Sequence, residues 1–254
     1  MLSLDAVSFR VGNKVLLHDI SCSLPAGRLY GLIGHNGSGK STLIRLLGGE
    51  LPPSSGQILL EGDSVHALSA KARARRMAYL PQHLPEAADF HVRELVMLGR
   101  FPWQGWLQKP SAEDADIVAQ AMRQTAVAQL ADQPVNTLSG GERQRVWLAM
   151  CLAQQSAYLL LDEPLAALDI VYQVEVLQLI RRLVDERGLT VVLIIHDINL
   201  AAQFCDELIA LKGGRLYRQA PVADLMQADV LHELFGVRLH LLNHPDGQHR
   251  VAVV

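Results

Sequence analysis

One stretch, "GLIGHNGSGKSTL" from Gly31 to Leu43, limits what this chain can fold into more than any other. Within it, Gly34 to Ser41 fits the spacing G-x-x-x-x-G-K-[ST], placed after a short apolar run and before a helical pattern. Glycines let successive backbone N–H groups curl round a phosphate, and a helix that opens there adds a partial positive charge. In this reading Gly34, Asn36, Gly37, Ser38, Gly39 and Thr42 shape a phosphate cradle. Lys40 reaches the β- and γ-phosphates of a nucleotide, and Ser41 ligates Mg²⁺.

A loop of this kind needs a strand before it and a helix after it. The runs "LYGLIG", "MAYLPQ", "YLLLDEP" and "TVVLIIHD" supply strands that read as buried on both faces of a parallel sheet. Ligands then belong at the carboxyl ends of those strands. Between Gln82 and Leu138 the texture turns helical, in "HVRELVMLGR" and "SAEDADIVAQAMRQTAVAQL", with the loop "FPWQGWLQKP" between them. After Lys212 a hairpin turn, a Pro-led helix and a second short helix are expected. His240 and His244 have the spacing of one helical face and His249 follows, but Pro245 and Gly247 argue against a helix, so a polar surface tail is expected there.

Composition narrows the classes of function. Half of the 254 residues are apolar and 19% are charged, which is a globular balance, and a net charge of -3 offers no overall basic field for nucleic acid. Cys22, Cys151 and Cys205 are far apart and form no C-x-x-C pair, so neither a disulfide framework nor a zinc site is indicated. The N-terminus alternates like a strand rather than carrying a signal peptide, and no apolar run nears the roughly 18 residues that span a bilayer. Any role at a membrane is therefore expected to come through a partner.

The acidic partner of a Mg²⁺–nucleotide site appears in "YLLLDEP". Asp162 would hold the metal through water and Glu163 would polarise the attacking water as general base. Adjacent carboxylates near phosphates repel, so the pair makes sense where a cation sits. These motifs leave kinases, GTPases and many ATPases open. "LSGGERQR" narrows the choice, because Ser139, Gly140, Gly141 and Glu142 would open a second phosphate-binding helix, without a lysine. A head-to-tail dimer uses both, one subunit's serine and glycines closing over the nucleotide in the other's P-loop.

With these residues in view, the chain resembles the ATP-binding cassette (ABC) ATPases from Leu4 to about Phe235. "GHNGSGKST" is similar to the family's Walker A motif, "LSGGERQR" to its signature, "YLLLDEP" to its Walker B, "AYLPQ" to its Q-loop with Gln82, "LAALD" to its D-loop ending in Asp169, and "IIHDIN" to its switch strand with His196. The resemblance implies an α/β fold: a RecA-like P-loop NTPase core with an antiparallel β edge and an inserted helical subdomain. It implies that Gln82 senses the γ-phosphate and Mg²⁺, that His196 bonds the γ-phosphate and supports Glu163, and that Ser139 to Glu142 act in trans. The family's adenine-stacking aromatic falls on Val11 here, and Phe9, two residues earlier, can substitute for it. The D-loop has Ala166-Ala167 where the family commonly has a serine before the alanine.

Within the family, "HVRELVMLGRFPWQGW" resembles the iron–siderophore, haem and cobalamin importers, and the motifs together resemble the ferric hydroxamate (ferrichrome-type) group. Phe101, Trp103 and Trp106 are then candidates for a groove that receives a permease. The expectation is an ATPase domain over residues 1–235, with its core at 1–83 and 146–235 and a helical subdomain at 84–145, then a short extension at 236–254. It would work as a homodimer with ATP and Mg²⁺, on the cytoplasmic face of a bacterial inner membrane. Its partners would be integral-membrane permease subunits and, indirectly, a periplasmic or surface binding protein, with no nucleic acid. The alternatives are the same role for haem or cobalamin, and a soluble ABC ATPase without a permease.

Overall fold

The computed structural model describes residues 1–87, 89–104, 109–166, 168–244 and 250–253. Trp106, Ala167, Pro245, Gly247 and His249 lie outside the described residues. In chain order the elements are β1 (Leu2–Val11), β2 (Lys14–Leu24), β3 (Leu29–Ile33), α1 (Lys40–Leu47), β4 (Ser55–Leu60), β5 (Asp63–Ser64), α2 (Ala70–Arg76) and β6 (Met77–Leu80). Next come α3 (Val92–Leu98), α4 (Ala112–Gln124), α5 (Gly140–Ala153), β7 (Tyr158–Leu161), α6 (Ile170–Arg187), β8 (Thr190–Ile194) and α7 (Ile198–Phe204). The chain finishes with β9 (Glu207–Lys212), β10 (Arg215–Pro221), α8 (Val222–Leu225), α9 (Ala228–Phe235), β11 (His240–Asn243) and β12 (Arg250–Val253). It separates into two compact units, Met1–Ala67 with Val184–Val254, and Leu68–Leu183.

Among the described residues the first unit holds strands of two larger sheets and a terminal two-stranded hairpin. In one, β9, β3 and β8 run parallel and β10 closes the edge antiparallel. Every residue of β3 and β8 is buried, which is why both read as unbroken apolar runs rather than alternating ones. The other is an antiparallel sheet in the order β2-β1-β4-β5, the β edge expected near the N-terminus. Its inner face carries Leu2, Leu4 and Val7 from β1, Leu17, Ile20 and Leu24 from β2, and Ile58 and Leu60 from β4, all buried. The pairing of β1 with β2 slips between Phe9↔Leu17 and Arg10↔Val15, so Leu16 is an extra residue on β2.

The end of the chain departs from the polar tail read in the sequence. Residues 240–243 and 250–253 pair as an antiparallel hairpin, and Asn199 of α7 grips the second strand, its Nδ2 donating to Ala252 O (3.1 Å) and its Oδ1 accepting from Ala252 N (2.8 Å). Ala252 joins Ala202, Met226 and Leu231 in a buried cluster, against which Phe235, Leu239 and Leu241 pack. His240 opens strand β11 and His244 lies beyond its end, so no helix sets the two histidines on one face.

The second unit combines the parallel pair β6–β7 with helices α2 to α5 and most of α6. Two of its helices start as their sequences demand. Ser111 and Asp114 close a capping box on α4, and Ser139 and Glu142 close one on α5. A buried ion pair ties the helices together. Arg100 Nε donates to Asp114 Oδ1 (2.8 Å) while its guanidinium also donates to the carbonyl of Ala153 at the end of α5 (2.8 Å). The Arg100 guanidinium and Ser111 together hold the Asp114 carboxyl below the usual aspartate range. Among the described residues no helix is long and apolar enough to cross a membrane.

Candidate functional site

In the first unit the P-loop leaves β3 at Ile33 and enters α1 at Lys40. Gly34 has φ +142°, and a Cβ there would run into the carbonyl oxygen of Leu211. Gly39 has φ +103°, and a Cβ there would run into the side chain of Leu17. The glycines are thus required by backbone conformation and by close approach at once. The loop is held from outside the motif as well: Gly214 N donates to Ser38 O (3.2 Å), and Gly214 O in turn accepts from His18 N (2.8 Å).

The chemistry of this loop suits a phosphate. The first residue before α1 is a glycine with no side chain to cap the helix, so the first-turn N–H groups face the loop. Ser38 Oγ is buried and has no hydrogen-bond partner among the described residues. Lys40 is only 5% exposed, and its ammonium donates to the carbonyls of Gly34 (2.8 Å) and His35 (3.0 Å). Asn36 and Gly37 are exposed at the loop's tip, with Ser41 and Thr42 half-buried behind it. His196 is exposed just beyond β8, where Asp197 caps α7 by accepting from Asn199 N (2.8 Å). Val11 is 60% exposed at the end of β1, and Phe9 is half-buried.

The remaining motif residues belong to the second unit. Strand β7 is buried throughout and delivers Asp162, 3% exposed, whose N–H donates to Leu80 O (2.9 Å). Tyr79 Oη stands 3.5 Å from Asp162 Oδ2, a neighbour that sequence reasoning did not single out although "AYLPQ" contains it. Glu163 follows with φ +53°, and Gln82 Nε2 donates to its Oε2 at 2.8 Å. The structure therefore brings the Q-loop glutamine onto the Walker B glutamate. Each of the Mg²⁺ ligands expected from the sequence, Ser41, Asp162 and Gln82, carries a side-chain oxygen, the hard donor type that Mg²⁺ takes.

The signature and D-loop residues meet across a cavity of about 220 Å³, lined by Ser139, Gly141, Glu142, Arg145, Asp169 and Tyr172 among others. Arg145 stacks on Tyr172 with 4.3 Å to the ring centroid, a pair the motif spacing did not reveal. Asp169 Oδ1 accepts from Tyr172 N (3.1 Å) and so starts α6. Here the helix N-terminus differs from that of the P-loop. Ser139 Oγ donates to Glu142 Oε2 (2.7 Å) and Ser139 N donates to the same oxygen (2.9 Å), which holds the Glu142 carboxyl below the usual range. Of the aromatic candidates, Trp103 is fixed, its Nε1 donating to Gln154 O (2.6 Å) between Arg75 and Arg100, whereas Phe101 is 72% exposed.

Comparison with known proteins identifies the family. The family model described as ABC transporter matches residues 17–166. The iron(3+)-hydroxamate import ATP-binding protein FhuC of Bacillus subtilis is 39% identical over 96% of this chain and 91% of its own length. The achromobactin transport ATP-binding protein CbrD of Dickeya dadantii is 40% identical over 92% of this chain and 87% of its own. The cobalamin import ATP-binding protein BtuD of Halobacterium salinarum is 39% identical over 96% of this chain and 61% of its own. An inward-facing structure of a metal-chelate type ABC transporter superposes with TM-score 0.84 at 25% identity, covering 100% of this chain and 97% of that one. A dimeric bacterial ABC transporter cassette superposes with TM-score 0.79 at 27% identity, covering 87% and 99%. With its P-loop, acidic strand end and signature helix built as described, this chain belongs to the ABC transporter family, as an ATP-binding subunit that hydrolyses ATP for transport.

Proposed function

We propose that this chain powers the import of an iron(III)–siderophore, of the hydroxamate type, across the cytoplasmic membrane of a bacterium. The observation that carries this reading is the 39% identity with the iron(3+)-hydroxamate import protein, which runs over 96% of the chain. Two copies act together, each P-loop facing the other copy's Ser139, Gly140 and Gly141, and residues 1–235 serve as the ATPase domain with 84–145 as the helical subdomain. The dimer sits on the cytoplasmic face as a peripheral subunit beneath integral-membrane permease subunits, which receive cargo from a periplasmic or surface binding protein. Phe101, the most exposed of the described large apolar side chains, is offered to the permease.

The residues divide the work as follows. Lys40 leaves the Gly34 and His35 carbonyls for the β- and γ-phosphates, and the uncapped start of α1 takes up phosphate oxygens. Ser41, Asp162 and Gln82 are the residues that would ligate Mg²⁺, and the ion would supply charge neutralisation on the transferring phosphoryl group. Glu163 accepts a proton from the attacking water, and His196 orients the γ-phosphate. Gln82, which donates to Glu163 in this structure, would have to release it in order to ligate Mg²⁺. Val11 and Phe9 flank the adenine.

A second reading keeps every step and changes the cargo to cobalamin, supported by the 39% identity with the cobalamin import protein. The test is a pulldown from membranes of the source cell with the Glu163→Gln protein and ATP. Recovery of a polytopic permease whose neighbouring binding protein prefers ferric hydroxamates is the expected result. A binding protein that prefers cobalamin would replace the cargo, and recovery of soluble partners or nucleic acid alone would overturn the importer assignment.

A further inference from the structure

The C-terminal part of the first unit surrounds an open cavity of about 960 Å³ that none of the nucleotide chemistry uses. Ala202 of α7, Val222 and Met226 at α8, and Leu239 and Leu241 at the hairpin give it an apolar patch, while polar atoms supply the larger share of its lining. Gln227, His240, Asn243 and Arg250 add polar groups. Arg250 is the one full cation among the described lining residues, which include no carboxylate, and it makes no ion pair among the described residues. Pockets of about 300–1,000 Å³ take compact organic ligands, with apolar walls for the body and a few polar groups to fix orientation. A mixed lining, with an apolar patch beside one guanidinium that has no ion-pair partner among the described residues, is complementary to an amphipathic organic anion.

The same elements reach the P-loop. Met226 belongs to the buried cluster with Ala202, Leu231 and Ala252, and Phe235 packs on that cluster. The Phe235 ring in turn meets the His35 ring edge-on, with centroids 5.6 Å apart. His35 gives one of the two carbonyls that hold the Lys40 ammonium. One aromatic contact thus joins the cavity wall to the lysine of the phosphate cradle.

We propose that this cavity binds a small amphipathic organic anion, and that its occupancy is transmitted to the P-loop through Phe235 and His35. The binding is independent of the cargo, while the transmission rests on the P-loop being the ATP site. A ligand that firms α8 and the hairpin holds Phe235 against His35 and raises affinity for ATP, and by linkage ATP raises affinity for the ligand.

The test uses the full chain with 8-anilinonaphthalene-1-sulfonate as fluorescent probe and decanoate as competitor. A saturable signal displaced by decanoate is expected, weakened about tenfold or more in both Arg250→Glu and Ala223→Trp, which remove the cation and fill the cavity mouth. Circular dichroism and basal ATPase rate identify folded variants, and Ala223→Trp suffices if Arg250→Glu does not fold. Unchanged probe affinity in a folded variant would overturn the site. Calorimetry then reads the dissociation constant for ATP, which saturating decanoate should tighten about threefold or more. This shift should vanish in Phe235→Ala although that variant still binds decanoate. No shift, or one that survives Phe235→Ala, would overturn the transmission.

Discussion

Glu163 occupies φ +53°, where a side chain other than glycine costs roughly 1–3 kcal/mol. Such strain survives where the surroundings impose it, here a buried strand end and the Gln82 hydrogen bond. Glu163→Gln keeps size and backbone but removes the basic carboxylate. Turnover should fall about 100-fold or more while ATP binding persists, a difference that phosphate release and equilibrium binding measure separately. Lys40→Ala should act on binding itself, weakening ATP about 10- to 100-fold by titration, since it removes a charge-assisted contact. At this scale the sequence is most legible where backbone chemistry fixes residue type and spacing, as in Gly34, Gly39, Lys40 and Asp162. The backbone twist at Glu163 is not legible, because nothing local in "LDEP" demands it. Nor is the support of Gly39 by Leu17, which comes from a strand with no motif of its own.

Among elements, the strands of the parallel sheet and the capped helices follow from their own sequences, because continuous apolar runs and Ser-x-x-Asp or Ser-x-x-Glu starts are local signals. The C-terminal hairpin is hidden because its strands are four residues each and gain their stability from Asn199, about fifty positions away. The Arg100–Asp114 pair gives a test of element packing. Asp114→Ala should destabilise the protein by about 3 kcal/mol or more, since it strands a buried guanidinium that also serves the end of α5. Because the folded carboxyl lies below the ordinary aspartate value of 3.8, its contribution is complete above that pH and fades as pH falls through the lower folded value. Denaturant melts across roughly pH 2–5 should therefore show wild type losing more stability on acidification than Asp114→Asn.

For the molecule as a whole, the proposed dimer needs an apolar contact as well as shared nucleotide. The start of α6 offers one, with Ile170 61% and Val171 62% exposed beside the D-loop. Val171→Asp should abolish the ATP-trapped dimer of Glu163→Gln in gel filtration while leaving each copy able to bind ATP. The family and its order of motifs are legible at this scale, whereas cargo is not, since no motif of this chain has cargo-binding chemistry of its own. The hydrogen bond between Gln82 and Glu163 has a consequence for the energy economy of the cell. An importer waiting for scarce cargo must not burn fuel while idle, and the carboxylate proposed as base, already engaged by a neighbouring amide, is a poor water activator. Futile consumption by the chain alone should be slower than by the chain assembled with its permease and supplied with cargo, as phosphate-release rates would reveal. Equal rates would mean that the thrift of the transporter is enforced elsewhere.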